Sequence, residues 1–202
     1  MTSADYHDYV IKDGRFIGAF EEMYQKCPDP WHQETEQPLS KEIAMFLLTR
    51  YKFTRILDVG CGTGKFSSCI QQATGARVTG LDISPTAILK ATKGYPQIKF
   101  CVAAAPSLPF RSGTFDLVAA SELLWYILPV MTDFFTEVRR ILVKEGKLMI
   151  LQQFYQHRQQ KYGMEVMRGP KDLMALLPFR VEELVELSRF SNHHTIILVK
   201  AR

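Results

Sequence analysis

From Arg55 onward the chain alternates short apolar runs with longer stretches that are apolar on one side only. The apolar runs fall at 55–59, 77–81, 98–102, 115–120 and 146–151, and each has the length and aliphatic content of a buried strand. Met131 to Val143 carries Phe134, Phe135, Val138, Ile141 and Leu142 at the spacing of a one-sided helix. Ser84 followed by Pro85 reads as a helix N-cap and first helical residue. Alternation of this kind predicts βαβ units and a parallel sheet. Upstream, Phe16, Phe20, Met23 and Tyr24 predict a short helix, which Pro28 and Pro30 stop. A second helix starts at Pro38 and runs to about Tyr51, with Leu39, Ile43, Phe46 and Leu47 on one face. Residues 152–170 are polar and irregular, and a short helix follows near 171–177. Two last strands, 180–188 and 194–200, flank the turn-like Phe190-Ser-Asn-His193 and predict an antiparallel hairpin.

The first predicted strand, Ile56-Leu57-Asp58-Val59, runs into Gly60-Cys-Gly-Thr-Gly64. Glycine there lets the backbone turn sharply and approach a ligand without a Cβ in the way. A helix beginning near Lys65 would point its free N–H groups at the loop. About twenty residues further on, the run Val78 to Leu81 ends in Asp82, the usual place for a carboxylate that accepts ribose hydroxyls. The parts together specify a site for a nucleoside-bearing cofactor. The spacing is G-x-G-x-G. A dinucleotide fingerprint would need its third glycine at Lys65, and the P-loop pattern is absent.

The run Asp58-Val-Gly-Cys-Gly-Thr-Gly64 resembles motif I of the class I S-adenosylmethionine (SAM) methyltransferases. The resemblance covers residues 38–151 well and the remainder in general layout. It implies a Rossmann-like three-layer α/β sandwich with a seven-stranded, mostly parallel sheet, a C-terminal antiparallel hairpin and a helical N-terminal arm. Residues 1–37 would be the arm, lying over the cofactor, and 38–202 a single SAM-binding domain. Asp58, Gly60, Cys61 and Gly62 would hold the methionine part of SAM. Asp82 would take the ribose, Ile83 the adenine face, and Trp31 would close from the arm. The segment Ala103-Ala-Ala-Pro-Ser-Leu-Pro-Phe110 resembles the family's adenine loop, but the acid expected there is replaced by Ala104. Backbone groups of Ala104 and Ala105 would then bind the ring. After the fourth strand, Ser121-Glu-Leu-Leu-Trp-Tyr126 resembles small-molecule methyltransferases. With Asp29-Pro-Trp31 it is most similar to the nodulation-protein-S group. Ser121 would line the methionine pocket, and Trp125 and Tyr126 would wall the acceptor. Catalytic candidates are Glu122, Tyr126 and His157, with His193 and His194 as further possible bases.

Composition narrows the partners. The 202 residues carry 25 Lys and Arg against 21 Asp and Glu, a net charge of +4, which is too mild to indicate nucleic acid. No window approaches the ~18 consecutive apolar residues of a membrane span. The first residues lack the basic and apolar regions of a secretion signal. Cys27, Cys61, Cys69 and Cys101 are widely spaced and form no C-x-x-C, so no metal is expected and reduced thiols in a cytoplasmic protein are. The expected activity is direct displacement of a methyl group onto a small-molecule acceptor, at nitrogen or oxygen in preference to carbon. The rivals are a catalytically silent SAM-binding scaffold, an RNA or protein methyltransferase, and a nucleotide-dependent oxidoreductase. Neither the acceptor nor the oligomeric state is written in the sequence.

Overall fold

The computed structural model describes residues 8–32, 38–155, 162–189 and 192–200. Seven strands form one sheet. In chain order they are β3 (Arg55–Val59), β4 (Arg77–Asp82), β5 (Lys99–Val102), β6 (Phe115–Ser121), β7 (Leu142–Tyr155), β8 (Arg180–Arg189) and β9 (Asn192–Lys200). Their order across the sheet is β5-β4-β3-β6-β7-β9-β8. The first five are mutually parallel, and β9 enters antiparallel between β7 and β8. Strand order reverses between β3 and β6, so a ligand crevice opens at the carboxyl ends of these two strands.

Side-chain alternation produces the three layers. Leu57, Val59, Val118, Leu148 and Ile150 pack on one face with Phe134, Phe135 and Val138 of α5 (Met131–Ile141) and Leu173 of α6 (Pro170–Leu176). Ile56, Val78, Leu117, Met149 and Leu151 pack on the other face. Their partners there are Ala44, Leu47 and Leu48 of α2 (Leu39–Thr49) and Phe66 and Ile70 of α3 (Lys65–Thr74). Central strands buried on both faces explain why the sequence reads as continuous apolar runs. Helix α4 (Pro85–Gly94) starts as its sequence predicts, with the Ser84 hydroxyl accepting from Ala87 N–H (3.1 Å) and proline at the first turn.

The arm and the strands β7 and β9 differ from the sequence reading. The arm is not only helical. A hairpin of β1 (Ile11–Lys12) and β2 (Arg15–Phe16) precedes α1 (Phe20–Lys26), and Phe16 belongs to the hairpin. Its turn residues Asp13 and Gly14 have φ of 51° and 75°, the left-handed pair that a two-residue Asp-Gly turn requires. Strand β7 is also much longer than 146–151. Its polar end, Gln152 to Tyr155, stays in the sheet because β9 pairs with it residue by residue, Gln152 to Thr195 and Gln153 to His194. Apolar periodicity could not report a strand whose tip is held by pairing alone. Strand β9 starts before 194, since Asn192 and His193 of the expected turn pair with β8, and Phe190 and Ser191 lie outside the described residues.

Gly80 lies in mid-sheet between Asp58 and Phe100. A Cβ there would lie 2.4 Å from the Phe100 ring and 2.9 Å from Cys61 Sγ. Gly80→Ala is expected to destabilise the fold by about 1–3 kcal/mol through overpacking, read from urea denaturation. Wild-type stability in that variant would mean that the ring swings aside freely.

Candidate active site

The loop after β3 is stitched to the tip of β4. Gly60 and Cys61 both donate their N–H to the Leu81 carbonyl (2.8 and 3.0 Å), and Gly62 N–H donates to Asp82 Oδ2 (2.9 Å). Gly64 caps α3 at φ 87°, and a Cβ on it would lie 2.8 Å from the Phe100 ring, so both conformation and space demand glycine. Asp58 is buried at the end of β3 and accepts the Ser67 hydroxyl of α3 at 2.6 Å. Burial pushes its carboxyl up to about 6 against that hydrogen bond and the nearby Lys41 charge. Cys61 is buried inside the loop, which raises its thiol well above the ordinary range. The described residues contain no disulfide and no cluster able to hold a metal.

Asp82 accepts Gly62 N–H through one oxygen and Ser84 N–H through the other, both at 2.9 Å. A carboxylate has about four acceptor sites, so both oxygens retain capacity for ribose hydroxyls. Burial raises its pKa, and its backbone donors oppose this. Beside it, Ile83 and Val102 stand 54% and 49% exposed at the tips of β4 and β5, unusual for aliphatic residues next to a polar site. Val102 escaped the sequence reading because it ends a strand rather than a motif. The Ala104–Ala105 turn follows, with Ser107 N–H donating to the Ala104 carbonyl (3.0 Å) and Ala105 buried.

The arm is fastened to α4 at two points. Glu21 accepts the hydroxyls of Ser84 (2.5 Å) and Thr86 (2.6 Å) and the Thr86 N–H (3.1 Å) at the start of α4. Lys90 donates to the carbonyls of Tyr24 (2.6 Å) and Cys27 (3.2 Å), where α1 ends. Each charge therefore faces the helix end of opposite partial charge. Tyr24 is buried, accepts Trp31 Nε1–H at 2.9 Å, and its hydroxyl is pushed up by burial and by Asp82. Trp31 and Phe20 both pack on Tyr126, at 5.6 and 5.4 Å between ring centres. Neither Glu21 nor Lys90 stood out in the sequence, because a charged side chain bonded to another helix's end reads the same as a solvated one.

At the carboxyl end of β6, Ser121 is partly exposed and Glu122 follows with φ 55°, a left-handed backbone rare outside glycine and asparagine. One Glu122 oxygen accepts Gln153 N–H (2.9 Å) and Gln152 Nε2–H (3.1 Å). Gln152 is itself fixed, its Oε1 accepting Leu124 N–H at 3.3 Å. The side chain is partly buried, and that desolvation pushes its carboxyl up to about 7. A left-handed backbone and a shifted pKa on one residue at a strand's carboxyl end make Glu122 a candidate functional group. Trp125 does not wall this pocket. Its Nε1–H donates to the Gln153 carbonyl (2.9 Å), and its ring is buried edge-on to Phe154 in the core. His194 sits 3.4 Å from Ser40 under α2 and His193 2.9 Å from Ser188 in the hairpin. His157 lies outside the described residues.

Residues 57–150 match the family model described as a methyltransferase domain. The demethylmenaquinone methyltransferase of Chlorobaculum tepidum is 41% identical over 66 residues, covering 33% of this chain and 27% of that protein. An O-methyltransferase of Aspergillus nomiae is 31% identical over 135 residues, covering 62% and 60%. The crystal structure of the N-methyltransferase NodS from Bradyrhizobium japonicum WM9, in complex with S-adenosyl-L-homocysteine, aligns with a TM-score of 0.71 at 17% identity, covering 90% of this chain and 96% of that one. Residues 57–150 of this chain match the methyltransferase domain, and the sheet around them has the class I SAM-dependent methyltransferase fold.

The likeness to NodS establishes the methyltransferase fold and says nothing about a shared acceptor. The chain covers 27–43% of the length of the first curated relatives it matches. Among the described residues no helix is long and apolar enough to cross a membrane.

The arm latch should respond to acid. Hydrogen bonds from Ser84 and Thr86 hold the Glu21 carboxyl down at about 2. Its contribution is therefore complete above the ordinary carboxylate range and is lost as pH falls through about 2. Acidification is expected to release the arm, seen as a Trp31 fluorescence change in a Trp125→Phe background. Glu21→Gln should remove that step. An identical acid profile in both proteins would assign the change to other carboxylates.

Proposed function

We propose that the protein moves a methyl group from SAM to a protonated oxygen or nitrogen of a small-molecule acceptor. The observation that carries this reading is Glu122, a carboxyl poised near neutral pH at the carboxyl end of β6, next to Leu123, whose side chain lies against Gly60. Methyl displacement needs a base only where the acceptor atom arrives with a proton. Relatives named for demethylmenaquinone methylation and for O-methylation support a small-molecule acceptor.

The donor set suits the cofactor. Asp58, oriented by Ser67, and the Gly60–Gly62 backbone would hold its methionine part. Asp82 would hold the ribose and Ile83 with Val102 the purine faces. Ala104 and Ala105 would meet the ring edge through their backbone, and Ser121 would line the methionine pocket. Bound SAM supplies a methyl group already activated by sulfonium charge. The protein's part is alignment, which can lower a barrier by about 7–11 kcal/mol, and proton removal. Glu122 takes the acceptor's proton, with Gln152 and the Gln153 N–H fixing its carboxyl. Tyr126 and Trp31, packed together, exclude water above the site.

Two measurements test this. Asp82→Ala is expected to weaken S-adenosylhomocysteine (SAH) binding by about 1–3 kcal/mol, through the ribose and the loosened Gly62, read by calorimetry. Unchanged affinity would remove Asp82 from the site. With labelled SAM and a panel of phenols and amines, the rate should rise with pH through about 7 as Glu122 loses its proton. Glu122→Gln should lower it by roughly 10²–10⁴-fold. A flat pH profile with full activity in Glu122→Gln would eliminate the base. Absence of transfer to any acceptor, with SAM bound, would favour a silent scaffold.

A further inference from the structure

The adenine loop after β5 lacks an acidic side chain, yet it is held in shape from outside by α5. Glu137 and Arg140, one turn apart, pair through two parallel hydrogen bonds of 2.7 Å each, Nε to Oε1 and Nη2 to Oε2. The same two side chains clasp the loop. Leu108 N–H donates to Glu137 Oε2 (2.9 Å), and Arg140 donates to the carbonyls of Leu108 (2.9 Å) and Phe110 (2.7 Å). Both backbone groups of Leu108 are thereby engaged by one ion pair. Beyond it, Gly113 and Thr114 donate to the last carbonyls of α5, those of Arg140 (3.1 Å) and Ile141 (2.7 Å). At the loop's start, Ala103 N–H donates to the Asp82 carbonyl (3.0 Å). The loop is thus tied to the ribose-binding residue at one end and to α5 at the other. Among the described residues the N–H groups of Ala104 and Ala105 make no backbone hydrogen bond.

A carboxylate side chain can swing to find an amine, whereas a backbone group goes only where its loop is held. Recognition through the backbone therefore depends on preorganisation. We propose that Glu137 and Arg140 are positioning residues for the purine. They hold residues 103–110 so that the main chain at Ala104 and Ala105 presents an N–H to the ring nitrogen and a carbonyl to the exocyclic amine. This rests on the SAM reading above and adds the device that replaces the missing acid.

The test is base selectivity. Binding of SAH is compared with binding of its hypoxanthine counterpart, in which a carbonyl replaces the amine and the ring nitrogen carries a proton. Titration calorimetry covers the wild-type protein, Glu137→Gln and Arg140→Met, and hydrogen exchange follows residues 103–110. The wild-type protein is expected to prefer the adenine form by about tenfold or more, because the wrong base leaves site groups unpaired. Both variants should lose most of that preference as exchange in the loop rises. Adding Ala104→Asp to Arg140→Met should restore part of it by supplying a side-chain acceptor. If Arg140→Met does not fold, the near-isosteric Glu137→Gln carries the measurement. A wild-type preference kept in a variant whose loop exchanges faster would overturn the clamp, as would a wild-type protein indifferent to the base. Failure of the wild-type protein to bind SAH would instead overturn the SAM reading and the clamp with it.

Discussion

The site depends on how the tips of β3 and β4 are joined. The Leu81 carbonyl receives two successive N–H groups of the glycine loop, and the Asp82 carboxylate receives a third. These bonds fix where the loop turns, and so where α3 begins and where Ser67 meets Asp58. The other Asp82 oxygen receives Ser84 N–H, which sets the start of α4. That start is where Glu21 fastens the arm. One carboxylate thus links the glycine loop, two helix starts and, through Ser84, the N-terminal arm. A buried charge is tolerated there because each oxygen is hydrogen-bonded, which offsets part of its desolvation.

The opposite wall has a different origin. Glu122 owes its place to β7, whose Gln152 side chain and Gln153 backbone receive it beyond the last apolar residue of the strand. That polar tip is held by β9, paired with it antiparallel. The C-terminal strands therefore set the place of Glu122 through the sheet. The glycine-loop side of the crevice is built from local turns and the Glu122 side from long-range pairing.

That division explains what could be read in the sequence. The glycine loop, Asp58, Asp82 and the Ser84 cap are local devices whose chemistry fixes residue type at fixed spacing, and the structure brings them together. The strands from Arg55 to Ser121 were legible because burial on both faces leaves continuous apolar runs. Trp125 was ambiguous, since an aromatic beside a site reads the same whether it faces ligand or core, and its indole N–H bond to Gln153 places it in the core. The β1–β2 hairpin was legible in Asp13-Gly14 but overshadowed by the helical spacing that follows. Gln152, Glu21 and the Glu137–Arg140 pair left no mark, because their partners lie 28 to 65 residues away.

The insertion of β9 between β7 and β8 also orders events during synthesis. β7 is made well before its partner, and until residues 192–200 appear its outer edge has nothing to pair with. That edge carries Leu148, Met149, Ile150 and Leu151, the kind of bare apolar strand that recruits other chains. Strands β3, β4, β5 and β6 can pair as they emerge, while the tip of β7 that holds Glu122 waits for β9. A nascent chain therefore meets its greatest aggregation hazard late, between the making of β7 and the arrival of β9.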